Sequence, residues 1–206
     1  RILDQLGFAV EDHGNMAKPE IAPDEGPPPA NAKYYDTIKN WIRELSERSY
    51  SLARSGAVPI FMGGDHSLSM GSVNGVARYW QEQRRPLFVM WLDAHADSNT
   101  PQTTETGNMH GMSAAFLCGE GGLDGLLGNH PRASIGPDQL DLFGIRSIDP
   151  EEKKLVFERR VAIADMRAID EFGVAVLIRK VIERVRAQNG VLHVSFDVDF
   201  LDPAVA

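Results

Sequence analysis

The chain has 206 residues, 43% of them hydrophobic and 24% charged, which is ordinary for a soluble globular protein with one sizeable core. Its 29 acidic and 21 basic side chains give a formal net charge of −8 at pH 7. The basic residues are scattered, which excludes a nucleic-acid partner that needs a basic patch. No stretch approaches the roughly 20 apolar residues of a membrane span and no signal-peptide pattern is visible, so we expect a cytoplasmic protein without a membrane partner. The single cysteine, Cys118, excludes an internal disulfide.

The first 31 residues predict little regular structure. Arg1–Gly7 has the pattern of a helix tail stopped by glycine, so we expect the true beginning of the protein to lie upstream. A short strand is predicted at Phe8–Glu11. The segment Lys18–Asn31 contains five prolines and one glycine and is predicted to be a surface loop.

From residue 33 onward, predicted helices alternate with predicted strands. Helical periodicity marks the former, and short apolar runs mark the latter. The alternation indicates a mostly parallel sheet flanked by helices on both faces, in a single α/β domain over residues 1–206. The predicted helices are Lys33–Ser55, Leu68–Gln83, Gly111–Cys118, Pro150–Arg159 and Ala168–Gln188, and the predicted strands are Val58–Met62, Leu87–Leu92, Leu140–Ile145, Arg160–Ala164 and Val191–Phe196.

Three of the predicted strands end on carboxylates or histidines. Leu87–Leu92 is a continuous apolar run, yet Asp93, His95 and Asp97 follow it at alternate positions, which project to one side of an extended chain. The last strand is followed by Asp197 and Asp199 in the same way, and Val58–Met62 runs into Gly63-Gly64-Asp65-His66. Ligands of parallel α/β sheets lie outside the carboxyl ends of the strands, so the three clusters predict one site.

Each cluster taken alone has a simpler reading. Gly-Gly-Asp-His can be a turn, and Asp-X-Asp can be a solvated loop or a helix cap. Together they favour a metal site, because burying carboxylates without cations is costly. The oxygen-rich set with imidazole and no thiolate suits Mn²⁺ first among hard or borderline ions. Four carboxylates suit two ions that share ligands, and such a pair can hold a water, lower its pKa and present hydroxide as a nucleophile.

With these residues in view, the chain resembles the ureohydrolase family, and within it the arginases. The resemblance implies an α/β domain that binds two Mn²⁺ ions per subunit, hydrolyses a guanidino group to release urea, and assembles as a homotrimer or a homohexamer. It also implies that the family fold continues past Ala206 with further strands and helices, including a glutamate that grips the guanidinium. The matching stretches are GGDHSLSMGSVNG (63–75), WLDAHADSNTPQTTETGNMHG (91–111), FGIRSIDP (143–150) and SFDVDFLDP (195–203).

The same resemblance assigns roles to the clustered residues. His66 and Asp97 would bind one manganese, His95 and Asp199 the other, and Asp93 and Asp197 would bridge both. Asp97 would also orient the bridging hydroxide, and His110 would transfer protons. Within the family, the α-carboxylate of an arginine substrate would meet donors from the loop after the metal strand, and the α-ammonium would meet a carboxylate. The residues at those substrate positions are Asn99, Thr106, Asn108 and Asp149.

The expected activity is therefore manganese-dependent hydrolysis of L-arginine to L-ornithine and urea. The alternatives are another ureohydrolase of the agmatinase or guanidinobutyrase type, with a different tail pocket, and a non-catalytic scaffold or sensor that keeps the fold. Phe200 departs from the family, which has a small residue there, and would narrow one side of the cleft. Outside the site, His13, His130, His193 and Cys118 are expected to be structural, and Asp65 and Asp202 are expected to cap turns.

Overall fold

The computed structural model describes residues 2–20, 27–133 and 135–205. Its sheet contains four parallel strands in the order β3-β2-β1-β4. The strands are β1 (Leu87–Leu92), β2 (Leu140–Ile145), β3 (Ala162–Asp165) and β4 (Val191–Phe196), and the helices are α1 (Ile2–Gln5), α2 (Tyr35–Arg54), α3 (Leu68–Glu82), α4 (Ser113–Leu117), α5 (Pro150–Glu158), α6 (Met166–Phe172) and α7 (Val174–Ala187).

Strand β1 lies between β2 and β4, and its side chains enter two separate cores. Val89 and Trp91 belong to the larger core on the side of α2 and α3. Phe88 and Met90 pack on the opposite face with Val181 and Val185 of α7. A strand covered on both faces has to be apolar throughout, which explains the uninterrupted run Leu87–Leu92. The predicted parallel sheet with helices on both faces is confirmed.

Helices α2 and α3 pack so closely that two positions of α3 have no room for a side chain. A Cβ on Gly75 would lie 2.2 Å from the Ser46 carbonyl oxygen, and one on Gly71 would lie 2.7 Å from that of Ile42. Backbone contact at this distance seats α3 firmly against its neighbour. The first turn of α3 is thereby held where His66, two residues before the helix, can reach the end of β1.

Two of the predicted strands are wrong. Residues 8–11 and 58–62 are in neither strand nor helix, although both segments have the composition of strands. Val58 and Met62 are 89% and 92% exposed, and within the described part of the chain no strand pairs with either segment. A strand is stabilised by its neighbours rather than by its own propensity, so apolar residues alone do not form one.

The predicted helix over residues 168–188 is also wrong in extent. It is two helices, α6 and α7, separated at Gly173, whose backbone φ of +80° interrupts the helical path. The predicted helix Gly111–Cys118 begins earlier, as a 3-10 turn at Met109–Met112 that continues into α4. Residues 21–26 of the predicted proline-rich loop lie outside the described residues. None of the helices in the described ranges combines the length and apolarity needed to cross a membrane.

Candidate metal centre

The segments that follow β1 and β4 meet at the carboxyl edge of the sheet. The Asp197 backbone N–H donates to the Leu92 carbonyl at 2.9 Å, so the pairing of β4 with β1 continues past the end of both strands. The Asp93 N–H donates to Phe143 of β2 at 3.1 Å. Gly63 and Gly64, at φ of +118° and +63°, turn the chain into α3 and bring His66 to the same edge. The parallel order of the strands therefore gathers all three sequence clusters.

The first group of possible ligands surrounds the Nδ1 atom of His66. Ligand atoms of His66, Asp93 and Asp197 all lie within 4.8 Å of one another. His66 Nδ1 is 2.9 Å from Asp93 Oδ2, 3.1 Å from Asp97 Oδ2 and 3.5 Å from Asp197 Oδ2. Three carboxylates around one imidazole nitrogen form a strongly negative, enclosed pocket in which a cation would replace the imidazole proton.

The second group surrounds His95 on the more open side of the edge. Ligand atoms of Asp93, His95 and Asp199 lie within 4.8 Å of one another. His95 Nδ1 is 3.1 Å from Asp199 Oδ2 and 3.4 Å from Asp93 Oδ1. Asp93 belongs to both groups, with one oxygen toward each histidine. Asp197 falls in the first group, and its contact with the second ion remains a prediction.

The pKa values of the first group show how strongly its charges interact. Burial opposes the charged form of His66, but the hydrogen bonds to Asp93 and Asp97 outweigh burial and raise its pKa to about 9. Burial raises the pKa of Asp97 to about 6, with the neighbouring charge of Asp93 acting in the same direction and the His66 hydrogen bond opposing it. The group thus retains protons that a divalent cation would displace.

Two supporting residues, Trp91 and Ser195, escape the sequence analysis. The Trp91 indole stacks on the His66 ring with the ring centroids 4.0 Å apart, and its Nε1–H donates to Asp93 Oδ2 at 3.0 Å. Ser195 Oγ lies 2.8 Å from His66 Nε2, the ring nitrogen that faces away from the carboxylates. These contacts fix the orientation of the imidazole, as partners of metal-binding histidines do. The available signal was alternation, because Trp91 and Ser195 each lie two residues before a clustered aspartate.

The loop after Asp97 is held by a buried carboxylate, that of Glu152 in the first turn of α5. Its side chain accepts from the Ser98 N–H at 2.7 Å and from the Asp149 N–H at 3.2 Å. Burial raises the pKa of Glu152 to about 7. Asp97 itself has a φ of +46°, which is rare for a residue other than glycine. Sequence analysis did not predict the contact between Glu152 and Ser98, because a glutamate in the first turn of a helix is expected only to cap that helix.

The four predicted substrate residues form two hydrogen-bonded pairs, of which the first is Asn99 with Asp149. Asn99 Nδ2 donates to Asp149 Oδ2 at 3.0 Å, and Asn99 Oδ1 accepts from the Thr103 hydroxyl at 2.9 Å. The other two lie on the same loop farther along, where the Asn108 N–H donates to Thr106 Oγ1 at 3.2 Å. Asn99 is buried and therefore orients Asp149, whereas Thr106 is exposed.

His110 belongs to neither of the two groups of possible ligands found among the described residues. Its side chain is about half exposed, and its Nδ1 is 3.9 Å from Asp65 Oδ2. Asp65 also accepts from the Ser67 N–H at 3.0 Å, which makes it a turn residue before α3. The half-exposed imidazole of His110 therefore lies beside the turn that precedes α3.

Two of the residues expected to be structural, His193 and Cys118, belong to neither ligand group found among the described residues. Burial lowers the pKa of His193 in β4 to about 4, so it is a neutral histidine in the fold. Burial likewise raises the pKa of Cys118 to about 12, which makes its thiol unreactive. Phe200 packs over Gly144, where a Cβ would lie 2.5 Å from its ring, and it makes an edge contact with Phe196. The aromatic residue therefore fills space beside the second group.

The sequence of this chain matches one protein family and curated relatives from that family. Residues 3–206 match the family model for the Arginase family. The chain is 44% identical to an arginase of Agrobacterium fabrum over 207 residues, which is 100% of this chain and 63% of the relative. It is 45% identical to an arginase of Brucella melitensis over 204 residues, which is 98% of this chain and 65% of the relative.

Solved structures agree with this comparison. The native Bacillus caldovelox arginase at pH 5.6 superposes with a TM-score of 0.84 at 30% identity, covering 98% of this chain and 66% of that one. An Entamoeba histolytica arginase in complex with L-ornithine gives a TM-score of 0.77 at 28% identity, covering 89% of this chain and 61% of that one. The chain thus spans slightly less than two thirds of the length of the two bacterial relatives. On its sequence match and its fold, this chain belongs to the arginase family.

Proposed function

We propose that the protein is a manganese-dependent arginase, which hydrolyses L-arginine to L-ornithine and urea. The observation that carries the proposal is the pair of ligand groups that share Asp93 at the carboxyl edge of the sheet. Two adjoining groups suit two ions rather than one. The arginases among the relatives and the L-ornithine complex of the Entamoeba histolytica protein support arginine as the substrate.

The donor set fits two Mn²⁺ ions per subunit. Both groups offer carboxylate oxygen and imidazole nitrogen without thiolate, a combination suited to hard or borderline divalent cations. We assign His66 and Asp97 to one ion, His95 and Asp199 to the other, and Asp93 and Asp197 to both. When bound, the ions would lower the pKa of a shared water and supply hydroxide near neutral pH.

The chain's own residues would handle protons and orientation. Asp97, beside His66, would accept a hydrogen bond from the nucleophile and orient it. His110 would deliver a proton to the leaving nitrogen as the C–N bond breaks, which releases ornithine as an amine and leaves urea. The half-exposed position of His110 allows it to recover that proton from solvent.

Selection of arginine over other guanidino compounds would depend on its amino-acid end. Asp149 would accept from the α-ammonium, with Asn99 holding it in place through the 3.0 Å hydrogen bond. Thr106 and Asn108 would donate to the α-carboxylate from the same loop. Agmatine lacks that carboxylate, so the donors would lose their partner and the substrate would be discriminated against.

Urea release by the full-length protein tests the proposal against its alternatives. With Mn²⁺ present, we expect kcat/KM for L-arginine to exceed that for agmatine by at least about a hundredfold, and chelation to abolish both activities. Equal or faster turnover of agmatine or 4-guanidinobutyrate would indicate another ureohydrolase. Absence of urea from every guanidino compound would favour the non-catalytic scaffold. The predicted homotrimer or homohexamer can be tested in the same preparation by light scattering.

A further inference from the structure

The side chain of Arg146, the first residue after β2, reaches across to the loop that follows β4. Its guanidinium donates to the carbonyl oxygens of three successive residues, which are Asp199, Phe200 at 3.4 Å and Leu201 at 3.1 Å. These carbonyls belong to or directly follow the 3-10 turn Val198–Phe200. A guanidinium carries five N–H donors in a planar fork, so it can serve several carbonyls at once where an ammonium serves fewer.

The backbone of Arg146 is tied to the other metal-bearing segment. Its N–H donates to the Ala94 carbonyl at 2.9 Å, and the Ser147 N–H donates to the same oxygen at 3.0 Å. Ser147 also forms an isolated parallel bridge with His95. Arg146 therefore connects the chain beside His95 with the turn that contains Asp199.

His95 and Asp199 supply the histidine and one of the carboxylates of the second ligand group. Asp199 Oδ2 lies 3.1 Å from His95 Nδ1, and Asp199 Oδ1 accepts from the Ala94 N–H at 3.1 Å. The turn is tied to its surroundings by the Asp199 carboxylate, the Phe200 ring over Gly144 and the Arg146 guanidinium. If the Asp199 carboxylate binds an ion, the hydrogen bonds from Arg146 contribute a larger share of the contacts that hold the turn Val198–Phe200 in place.

The charge of Arg146 is placed so that it does not compete with a cation. Its hydrogen bonds go to backbone carbonyls and leave the Asp199 carboxylate facing His95. A fixed positive charge beside the acidic edge still reduces the mutual repulsion of the aspartates. The first group, around His66, is enclosed by Trp91 and Ser195 and has its own supports.

We propose that Arg146 is a positioning residue that holds the Asp199 side of the centre, so that its loss weakens the ion bound by His95 and Asp199 selectively. The inference rests on the proposed dinuclear manganese site. It predicts unequal effects at the two ions. Partners of metal ligands typically affect metal affinity by about 10- to 100-fold, which sets the expected size.

The test is Mn²⁺ titration of metal-free, full-length protein by calorimetry, with free Mn²⁺ followed by electron paramagnetic resonance. Arg146→Met keeps the length of the side chain and removes every donor, whereas Arg146→Lys keeps the charge. The matched control is Arg159→Met, because Arg159 pairs with Glu120 and follows the last residue of α5, at the far end of that helix from Asp149. Thermal unfolding and circular dichroism verify that each variant folds.

We expect Arg146→Met to weaken one of the two ions by at least about tenfold and to leave the other within about threefold of wild type. Arg146→Lys should recover part of the loss, Arg159→Met should show none, and saturating Mn²⁺ should restore most of kcat to Arg146→Met. Amide exchange at residues 199–201 should also accelerate in the metal-free Arg146→Met protein. Wild-type binding of both ions, or equal weakening of both, would overturn the role of Arg146 while leaving the dinuclear site intact. Failure of the wild-type protein to bind two Mn²⁺ ions would overturn both proposals.

Discussion

Replacing Asp93 with asparagine is the most direct perturbation of the proposed centre, because this side chain belongs to both ligand groups. Asparagine keeps the shape but removes one negative charge and one acceptor oxygen. Asp93 Oδ2 accepts from Trp91 at 3.0 Å and Oδ1 accepts from the His95 N–H at 2.8 Å, so the amide also leaves a donor facing a donor. Both ions are therefore expected to bind more weakly.

The size of the loss follows from the charge. At about 4 Å and an effective dielectric constant of about 20, a carboxylate and a divalent cation attract each other by roughly 8 kcal/mol, twice the value for two unit charges. Relaxation and the remaining carboxylates reduce this, but even a quarter of it is about 2 kcal/mol, or about thirtyfold in affinity. His66→Asn removes a ligand from the first group alone, so it should weaken one ion and leave the other within about threefold.

Metal content and Mn²⁺ titration of the full-length protein measure both effects. Asp202→Asn is the control, since it removes the same charge from an exposed carboxylate that accepts only from the nearby Ala204 N–H among the contacts we identify in the described chain. If Asp93→Asn retained one ion at wild-type affinity, Asp93 would not be shared and the two-ion geometry would be wrong. If His66→Asn weakened both ions equally, the assignment of one histidine to each ion would fail.

The other predictions concern catalysis, selectivity and stability. His110→Asn should lower kcat by about 10²- to 10⁴-fold with manganese content unchanged and partial rescue by imidazole, and stoichiometric loss of metal would instead identify His110 as a ligand. Asp149→Ala should reduce kcat/KM for L-arginine far more than for 4-guanidinobutyrate, which lacks the α-ammonium, and a parallel decrease would remove Asp149 from the recognition of the amino-acid end. Burial raises the pKa of Glu152 from 4.5 to about 7, so between pH 4.5 and pH 7 the carboxyl is protonated in the folded protein and ionised in the unfolded one. The metal-free protein should therefore lose up to about 3 kcal/mol of stability as the pH rises from 4.5 to 7. Denaturant unfolding at several pH values should show that dependence flattened in Glu152→Gln, and an unchanged slope would contradict the assignment. Gly75→Ala should lower the free energy of unfolding by about 1–3 kcal/mol, because a Cβ would lie 2.2 Å from the Ser46 carbonyl oxygen and the cost of that clash exceeds the gain in helix propensity. A stabilised variant would show that α2 and α3 can move apart at no cost.

Three of the four strands were predictable, because each is a short and largely apolar run in the sequence. Leu87–Leu92, Leu140–Ile145 and Val191–Phe196 were expected with the bounds that the structure has. Leu87–Leu92 and Leu140–Ile145 are largely apolar and buried, as strands covered on both faces must be, whereas Val191–Phe196 is the partly exposed edge strand beside β1. The segment Val58–Met62 has the same composition and is not a strand. The difference lies in the neighbours available to pair with it, which no local pattern encodes.

The candidate site likewise contains residues that the sequence identified and residues that it did not. The aspartates and histidines at alternate positions after the strands were identified from the chain alone, because extended backbone projects such residues to one side and parallel strands end at one edge. The supporting residues were not identified. Trp91 stacks on a residue 25 positions earlier in the chain, Ser195 contacts the same imidazole from β4, and Glu152 spans 54 residues to reach Ser98.

The amino-acid sequence by itself therefore determined the class of fold, the ligand types and the side of each strand on which they project. These depend on the period of the backbone and on the chemistry of oxygen and imidazole donors. Tertiary structure alone decided that Trp91 and Ser195 orient the His66 ring, that Asn99 orients Asp149, and that Arg146 connects the segments around His95 and Asp199. Each of these facts is a distance between parts of the chain far apart in sequence, and such distances arise only when helices and strands pack.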